Sequence, residues 1–176
     1  MFCLEKDLRY IDIKESSNLP INIEYETPDT LGPDRIALAL GSLKYPGNKL
    51  IIDFGTCITY DIVLNNRYIG GQISPGIETR LASLNYSTEK LPKLNLEYLD
   101  LHIGKNTHES MLIGVNDSLL FEVKNVIEKY QSRYSNITVI ITGGGSEFIK
   151  KRIKNINFVN PYLLMEGLNY IIACNE

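Results

Sequence analysis

The chain has 176 residues, enough for one large domain or a small domain with an appended piece. Hydrophobic residues make up 44% and charged residues 22%, a globular composition that excludes a wholly disordered chain. A net charge of −3 and a pI near 5.5 argue against nucleic acid held on a basic surface, and leave small anions held by backbone amides and a few cations. Cys3, Cys57 and Cys174 are odd in number, far apart and without metal-ligand spacing, so they read as reduced thiols of a cytoplasmic protein. His102 and His108 are too few for a histidine-rich metal site and read as surface or structural residues. Met1 to Tyr10 carries Glu5, Lys6, Asp7 and Arg9 without an apolar core, so it does not read as a signal peptide. No apolar run approaches the ~20 residues of a membrane span.

Residues 1–30 are polar, with short alternations at Ile11, Ile13, Ile21, Ile23 and Tyr25 that suggest strands. Nothing there closes a core by itself, and an orphan strand with an unpaired edge is a liability in a complete domain. Residues 33–44 predict a helix: Pro33 suits a first helical position, Asp34 favours the helix dipole, and Ile36, Leu40 and Leu43 share a face. Leu50 to Asp53 predicts a buried strand ending at Gly55, Ile58 to Leu64 a second, and Tyr68 to Ser74 a third after a tight Asn65-Asn66 turn. Pro75 is expected to start a helix carrying Ile77, Leu81 and Leu84 on one face, and Pro92 marks a loop. Thr107 reads as the N-cap of a long amphipathic helix to Tyr134 with Met111, Val115, Leu119, Val123, Val126 and Tyr130. That helix either forms a dimer interface or packs within the domain, and periodicity does not choose. Ile137 to Thr142 predicts a strand ending in three glycines. A short helix, a strand over Ile156 to Val159 and a last helix opened by Pro161, with Leu164, Leu168 and Ile171, complete the chain.

A three-strand meander followed by alternating helices and strands predicts an α/β fold, a mixed five-stranded sheet with helices on both faces. It resembles one ribonuclease-H-like unit, the repeated half of the sugar kinase, hsp70 and actin architecture. No second copy and no internal repeat is visible.

Four segments carry chemistry. Asp53-Phe-Gly-Thr56 lies at the turn between the first two strands: Asp53 is placed to hold a cation, Gly55 to let a phosphate approach, and Thr56 to offer it a hydroxyl and an amide. Thr59 is near enough to support the turn; a plain hairpin using Asp and Thr for its own geometry is the alternative. Thr142 to Gly145 joins a buried strand to a helix, so Gly143 and Gly144 either let a nucleotide lie against the backbone or form only a glycine-rich turn. Gly32-Pro33-Asp34-Arg35 sets a carboxylate beside a guanidinium: Asp34 is a candidate base for an alcohol proton and Arg35 for a carboxylate on the acceptor. An exposed salt bridge at a helix start is the commoner alternative. Gly70 to Gly76 is a strand-to-helix corner with three glycines and a proline, either ligand-facing or a packing corner.

Taken together these motifs resemble the type III pantothenate kinases. The matching segments are Gly32 to Arg35, Asp53-Phe-Gly-Thr-Cys-Ile-Thr59, Gly70-Gly-Gln-Ile-Ser-Pro-Gly76, Leu91-Pro92, Gly104-Lys-Asn-Thr107, Thr142-Gly-Gly144 and Pro161 to Leu168, running from about Pro28 onward. The resemblance implies Asp34 as the general base on the pantothenate hydroxyl, with Gly32, Pro33 and Arg35 holding pantothenate and Thr107 touching it from across a homodimer interface. It implies ATP with magnesium as phosphoryl donor, met by Thr56, and a monovalent cation, potassium or ammonium, on Asp53. The product would be 4′-phosphopantothenate, the first step towards coenzyme A. Cys57 stands where the family usually has alanine, a small change in volume. Residues 1–30 lack the family's D-x-G-N-T phosphate loop, so residues 1–47 read as the remnant of a first lobe carrying the substrate segment, and 48–176 as the ribonuclease-H-like second lobe. Phosphoryl transfer needs charge stabilisation from both sides of the transferred group, so the chain alone is expected to turn over poorly. A non-catalytic relative on the same fold is the alternative function. A sugar kinase is disfavoured by the Gly32 to Arg35 segment together with Thr107.

Overall fold

A computed structural model describes residues 11–13 and 19–175, apart from the side chain of Phe148. The expectations for Met1 to Tyr10 and for the Cys3 thiol lie outside the described residues. Six strands form one sheet in the order β1-β4-β3-β2-β5-β6. They are β1 (Asn22–Ile23), β2 (Asn48–Phe54), β3 (Cys57–Leu64), β4 (Arg67–Pro75), β5 (Ile137–Thr142) and β6 (Phe158–Val159). The meander β2-β3-β4 is antiparallel, while β5 runs parallel to β2, β6 to β5 and β1 to β4. Five helices surround it: α1 (Pro33–Gly41), α2 (Ile77–Tyr86), α3 (Thr107–Arg133), α4 (Ser146–Lys150) and α5 (Leu163–Cys174).

The α/β class and the mixed sheet with helices on both faces match the sequence pattern, but the sheet has six strands rather than five. The sixth is the two-residue β1, which pairs with the open edge of β4 and so covers backbone groups that the meander would leave bare. Ile11 and Ile13 pack against the core without forming strands. Other boundaries move by a few residues for identifiable reasons. Pro75 ends β4 instead of opening a helix, and Gly76 takes the N-cap of α2. The cap of α3 is Asn106, not Thr107: Asn106 Oδ1 accepts from the Glu109 amide at 2.9 Å, and Glu109 reaches back to the Lys105 amide at 2.8 Å. The same helix stops at Arg133. Asn160 accepts from the Tyr162 amide at 3.0 Å, a local turn that delays α5 until Leu163. The strand read over Ile156 to Val159 shrinks to Phe158–Val159.

Strand alternation divides the core into two layers. Ile51, Val63, Tyr68 and Ile140 face α1 and α5, where Ile36, Leu38, Leu40, Leu163 and Ile171 complete one cluster. Leu50, Ile52, Ile58, Tyr60, Val139 and Ile141 face α3, against Leu119, Val123 and Ile127. A smaller cluster of Leu81, Leu112 and Val115 joins α2 to α3. Asn65 and Asn66 both adopt left-handed φ (49° and 59°), the twist that suits a two-residue hairpin loop. No helix among the described residues is long and apolar enough to cross a membrane.

Helices α1 and α5 touch backbone to backbone. A Cβ on Gly167 would run into the carbonyl of Ala37, and one on Gly41 into the carbonyl of Leu163. Neither obstacle is a flexible side chain, so the contact cannot adapt by a rotamer change. Gly167→Ala is therefore expected to lower the unfolding free energy by about 1–3 kcal/mol in urea titration, although alanine is the better helix former.

Candidate functional site

The C-terminal ends of β2 and β5 lie side by side, with Asp53 paired to Thr142. Two turns meet there. The Gly145 amide donates to Phe54 O at 3.1 Å, which ties the β5–α4 turn to the β2–β3 turn. The second turn is braced from α2: the Gly76 amide donates to Thr56 O at 2.9 Å and Thr79 Oγ1 to the same oxygen at 2.7 Å. Gly143 adopts φ 85° between Asp53 and Phe54, where a Cβ would collide with Asp53 Oδ1 and the Phe54 backbone, so only glycine fits.

On the α3 side of these turns lies a cavity of ≈ 290 Å³, open to solvent. Gly55, Thr56, Gly144 and Gly145 supply its backbone-rich rim, and Phe54, Ile58, Leu119 and Ile149 its apolar wall. Thus the structure gathers Gly55, Thr56 and Gly144 into one concave site, with Gly143 just behind it. Glycine backbone beside an apolar wall leaves room for a phosphorylated ligand with a flat organic group, although the Gly55 amide already donates to Cys57 O at 3.1 Å.

On the opposite face stand the acidic groups. Asp53, Thr59 and Asp61 all point toward α1, by alternation from Leu50 and by the bonds they make. Asp34 lies exposed in the first turn of α1, its Oδ1 folded back over Gly32, with Pro33 exposed beside it. Burial pushes the Asp53 carboxyl up to about 6, and the negative charges of Asp34 and Asp61 add to that shift.

Arg35 is 5% exposed and turned inward. Its Nε donates to Asp61 Oδ1 at 2.8 Å, and its Nη2 stands 2.7 Å from the same oxygen. Asp61 is fully buried and also accepts from Tyr68 OH at 2.7 Å and Thr59 Oγ1 at 2.9 Å. Burial pulls against the charge on Arg35, but the hydrogen bond and charge of Asp61 outweigh it and hold the guanidinium protonated. Burial pushes the Asp61 carboxyl up, and the hydrogen bonds and charge of Arg35 and the hydroxyls of Tyr68 and Thr59 pull against it; beside a guanidinium that stays charged, the pair is a buried ion pair. The tyrosine rings of Tyr25 and Tyr68 lie 5.9 Å from the guanidinium carbon. An exposed salt bridge at this helix start is therefore not what forms.

Thr107 is exposed at the start of α3 and lines a separate, more open cavity of ≈ 790 Å³ with Arg80, Lys105 and Ser110. Within one chain it is not brought to Asp34. Among the described residues no group of three or more His, Cys, Asp or Glu is set to hold a metal ion.

Two clusters escaped the sequence reading. One is Asp61 with Tyr68 around Arg35. The other lies beneath α3, where Glu122 accepts from Tyr60 OH at 2.7 Å, from Ser74 at 3.2 Å and from Arg80. Gln72 donates to Tyr130 OH at 2.8 Å alongside. A signal for the first existed: Asp61 interrupts an apolar strand and Arg35 an apolar helix, and two lone charges on elements that must pack call for each other.

The mixed α/β sheet thus carries a carboxylate, Asp53, at the end of β2, two glycine turns beside it, and an apolar cavity on the α3 side of those turns. A family model of type III pantothenate kinase matches residues 4–129. Curated type III pantothenate kinases are similar along almost the whole chain. That of Christiangramia forsetii is 42% identical over 176 residues, covering 98% of this chain and 72% of the relative. Those of Flavobacterium johnsoniae (41% identical; 94% and 69% covered) and Cytophaga hutchinsonii (42%; 93% and 71%) are comparable. The chain belongs to the type III pantothenate kinase family. Among solved structures, a Baf family transcriptional activator from Campylobacter jejuni superposes with TM-score 0.65 at 22% identity, over 94% of this chain and 72% of that one. An Alp12 filament gives 0.55 at 18% identity, over 81% and 53%. Both show a shared fold and nothing more.

The charge on Asp53 has a measurable cost. Folding raises its pKa from the ordinary carboxylate value, so the folded state holds the proton more tightly and stability falls as pH climbs from about 4 through about 6. Asp53→Asn removes that penalty. It is expected to stabilise the protein by roughly 2–3 kcal/mol at pH 7.5, with the gain vanishing toward pH 4, in urea unfolding at the two pH values.

Proposed function

We propose that the chain transfers the γ-phosphoryl group of ATP to the hydroxyl of pantothenate, giving 4′-phosphopantothenate, with Asp34 as the general base. The observation that carries the assignment of roles is the placement of two half-sites around one turn. The glycine-rimmed cavity lies on one face of the sheet and Asp34 with Asp53 on the other, and Gly55-Thr56 lies between them. A nucleotide in the cavity would lead its phosphates over that turn, toward the acidic face.

In this reading Thr56, Gly55, Gly143 and Gly144 hold the nucleotide, Gly55 by letting it approach the backbone, since its own amide donates to Cys57 O at 3.1 Å. Asp53 is the anchor for a cation. Its partly buried carboxylate, crowded by Asp34 and Asp61, fits a positive ion, and one carboxylate completed by backbone oxygens, water and phosphate is how magnesium and potassium are commonly held. A bound cation would supply neutralisation of phosphate charge. Asp34, exposed at the mouth, accepts the hydroxyl proton as the oxygen attacks. Gly32, Pro33 and Arg35 shape the acceptor side, and Thr107 reaches the acceptor of a second copy in a homodimer. The meander-plus-crossover order of the sheet supports a ribonuclease-H-like unit, with residues up to 47 contributing the substrate segment. The cytoplasm, where ATP is abundant, is the compartment this chemistry requires.

Asp34→Asn is expected to lower kcat for pantothenate phosphorylation by about 10²–10⁴-fold while leaving nucleotide affinity within about threefold. The assay is a coupled ADP-release measurement with ATP, magnesium and potassium. A variant keeping kcat within threefold of the parent would remove Asp34 from the role of base.

A further inference from the structure

The acceptor side of the site depends on a residue that touches neither substrate nor cation. We infer that Asp61 is a positioning residue of the kinase: through Arg35 it fixes the first turn of α1, and so sets Asp34 against Asp53. The inference rests on the reading of Asp34 as the base.

The geometry makes the chain of contacts short. Asp34 and Arg35 are consecutive in the first turn of α1. Gly32 is the N-cap of that helix, and no side chain caps it. The N-terminus of α1 therefore lacks the local hydrogen bond that usually fixes a helix start. What holds it is lateral: Arg35 Nε and Nη2 both converge on Asp61 Oδ1 in the middle of β3. Asp61 is itself immobilised by Tyr68 from β4 and Thr59 from its own strand. Asp61 is fully buried and cannot meet an acceptor itself, so it works by placing Arg35. Gly71 on β4 leaves room for it, since a Cβ there would stand 3.0 Å from Arg35 Nη2 and against the carbonyl of Tyr60. The groups that act on Arg35 are Asp61 of β3, Tyr68 of β4 and Tyr25 after β1, and Asp34 of α1 acts with Asp61 on Asp53 of β2; Lys49, buried on the same face of β2, lies four residues back along the strand. Asp61 fixes where the Arg35 guanidinium sits.

A residue that merely stabilised the fold would affect both substrates alike. The nucleotide cavity lies on the other face of the sheet and shares no lining residue with the Arg35–Asp61 cluster, so a positioning residue for α1 should separate the two. The test is calorimetric binding of pantothenate and of a non-hydrolysable ATP analogue to the purified chain and its variants, with steady-state kinetics beside it. Asp61→Asn keeps shape and removes the charge that anchors Arg35. It is expected to weaken pantothenate binding and lower kcat by tenfold or more, while nucleotide affinity stays within threefold. Because loss of one partner of a buried pair can prevent folding, Tyr68→Phe is the second variant. It deletes one hydrogen bond to Asp61, leaves the ion pair intact, and is expected to show the same selective effect at roughly threefold. If Asp61→Asn fails to fold, Tyr68→Phe decides. Folded variants that bind both ligands as the parent does, or that lose both in proportion, would overturn the inference. A parent chain that binds no pantothenate would overturn it together with the acceptor assignment, and the two failures are told apart by whether parent or variant shows the defect.

Discussion

The buried ion pair between Arg35 and Asp61 is the constraint around which the acceptor side of the molecule is arranged. Taking two charges out of water costs several kcal/mol each, and only close pairing with further hydrogen bonds recovers it. Here the recovery draws on two strands and the segment after β1: Thr59 and Tyr68 complete the carboxylate, and Tyr25 and Tyr68 pack around the guanidinium. Each requirement fixes something else. Tyr68 must lie in β4 beside β3, Gly71 must stay bare, and α1 must start where its second residue meets the cleft. A hydrophobic pair of the same volume would hold the helix as well, but it would not specify a single register for the turn that carries Asp34.

The other face of the sheet is secured by a second polar cluster of different character. Glu122 of α3 collects Tyr60 from β3, Ser74 from β4 and Arg80 from α2, and these hydrogen bonds keep its carboxyl below the ordinary range against the opposing pull of burial. It joins the two helices that flank the apolar cavity to the strands that run into the turns. The nucleotide side and the acceptor side thus each have their own polar anchor, with the apolar strand residues between them.

Most of the fold was legible because its elements carry strong local signals. The continuous apolar run of Ile137 to Thr142 reads as a central strand and is one, buried along its whole length. The Asn65-Asn66 turn announces the hairpin by the residue type that tolerates left-handed backbone. Misplaced features were those decided by competition between neighbours. Asn106 outcompetes Thr107 for the cap because its side chain reaches the Glu109 amide, and Pro75 remains in a strand because β3 pairs with it as far as Cys57. The site was legible as motifs and illegible as geometry. Asp53, Gly55 and Thr56 were readable from spacing, whereas the inward turn of Arg35 depends on Asp61, 26 residues away on an element whose face no local pattern reveals. The alternation at Ile21, Ile23 and Tyr25 suggests a strand, but its place as the sixth of the sheet is not readable, because β1 is only two residues long and is defined by its pairing with the edge of β4.

The contact between α1 and α5 also governs when the molecule can become whole. Lys44, just past the end of α1, bonds to Glu166 of α5, 122 positions further along the chain, and Gly41 and Gly167 bring the two helix backbones together beside it. On the ribosome, α1 and the meander emerge before α5, with one apolar face uncovered until that helix follows. Contacts so distant in sequence are slow to form, because chain must be closed before they stabilise anything. Until α5 arrives, Ile36, Leu40 and their neighbours have only half a core to bury themselves in, and nascent chains are vulnerable to aggregation for that interval. The twelve residues of α5 thus act as a clasp, and synthesis rather than local propensity sets the moment at which it closes.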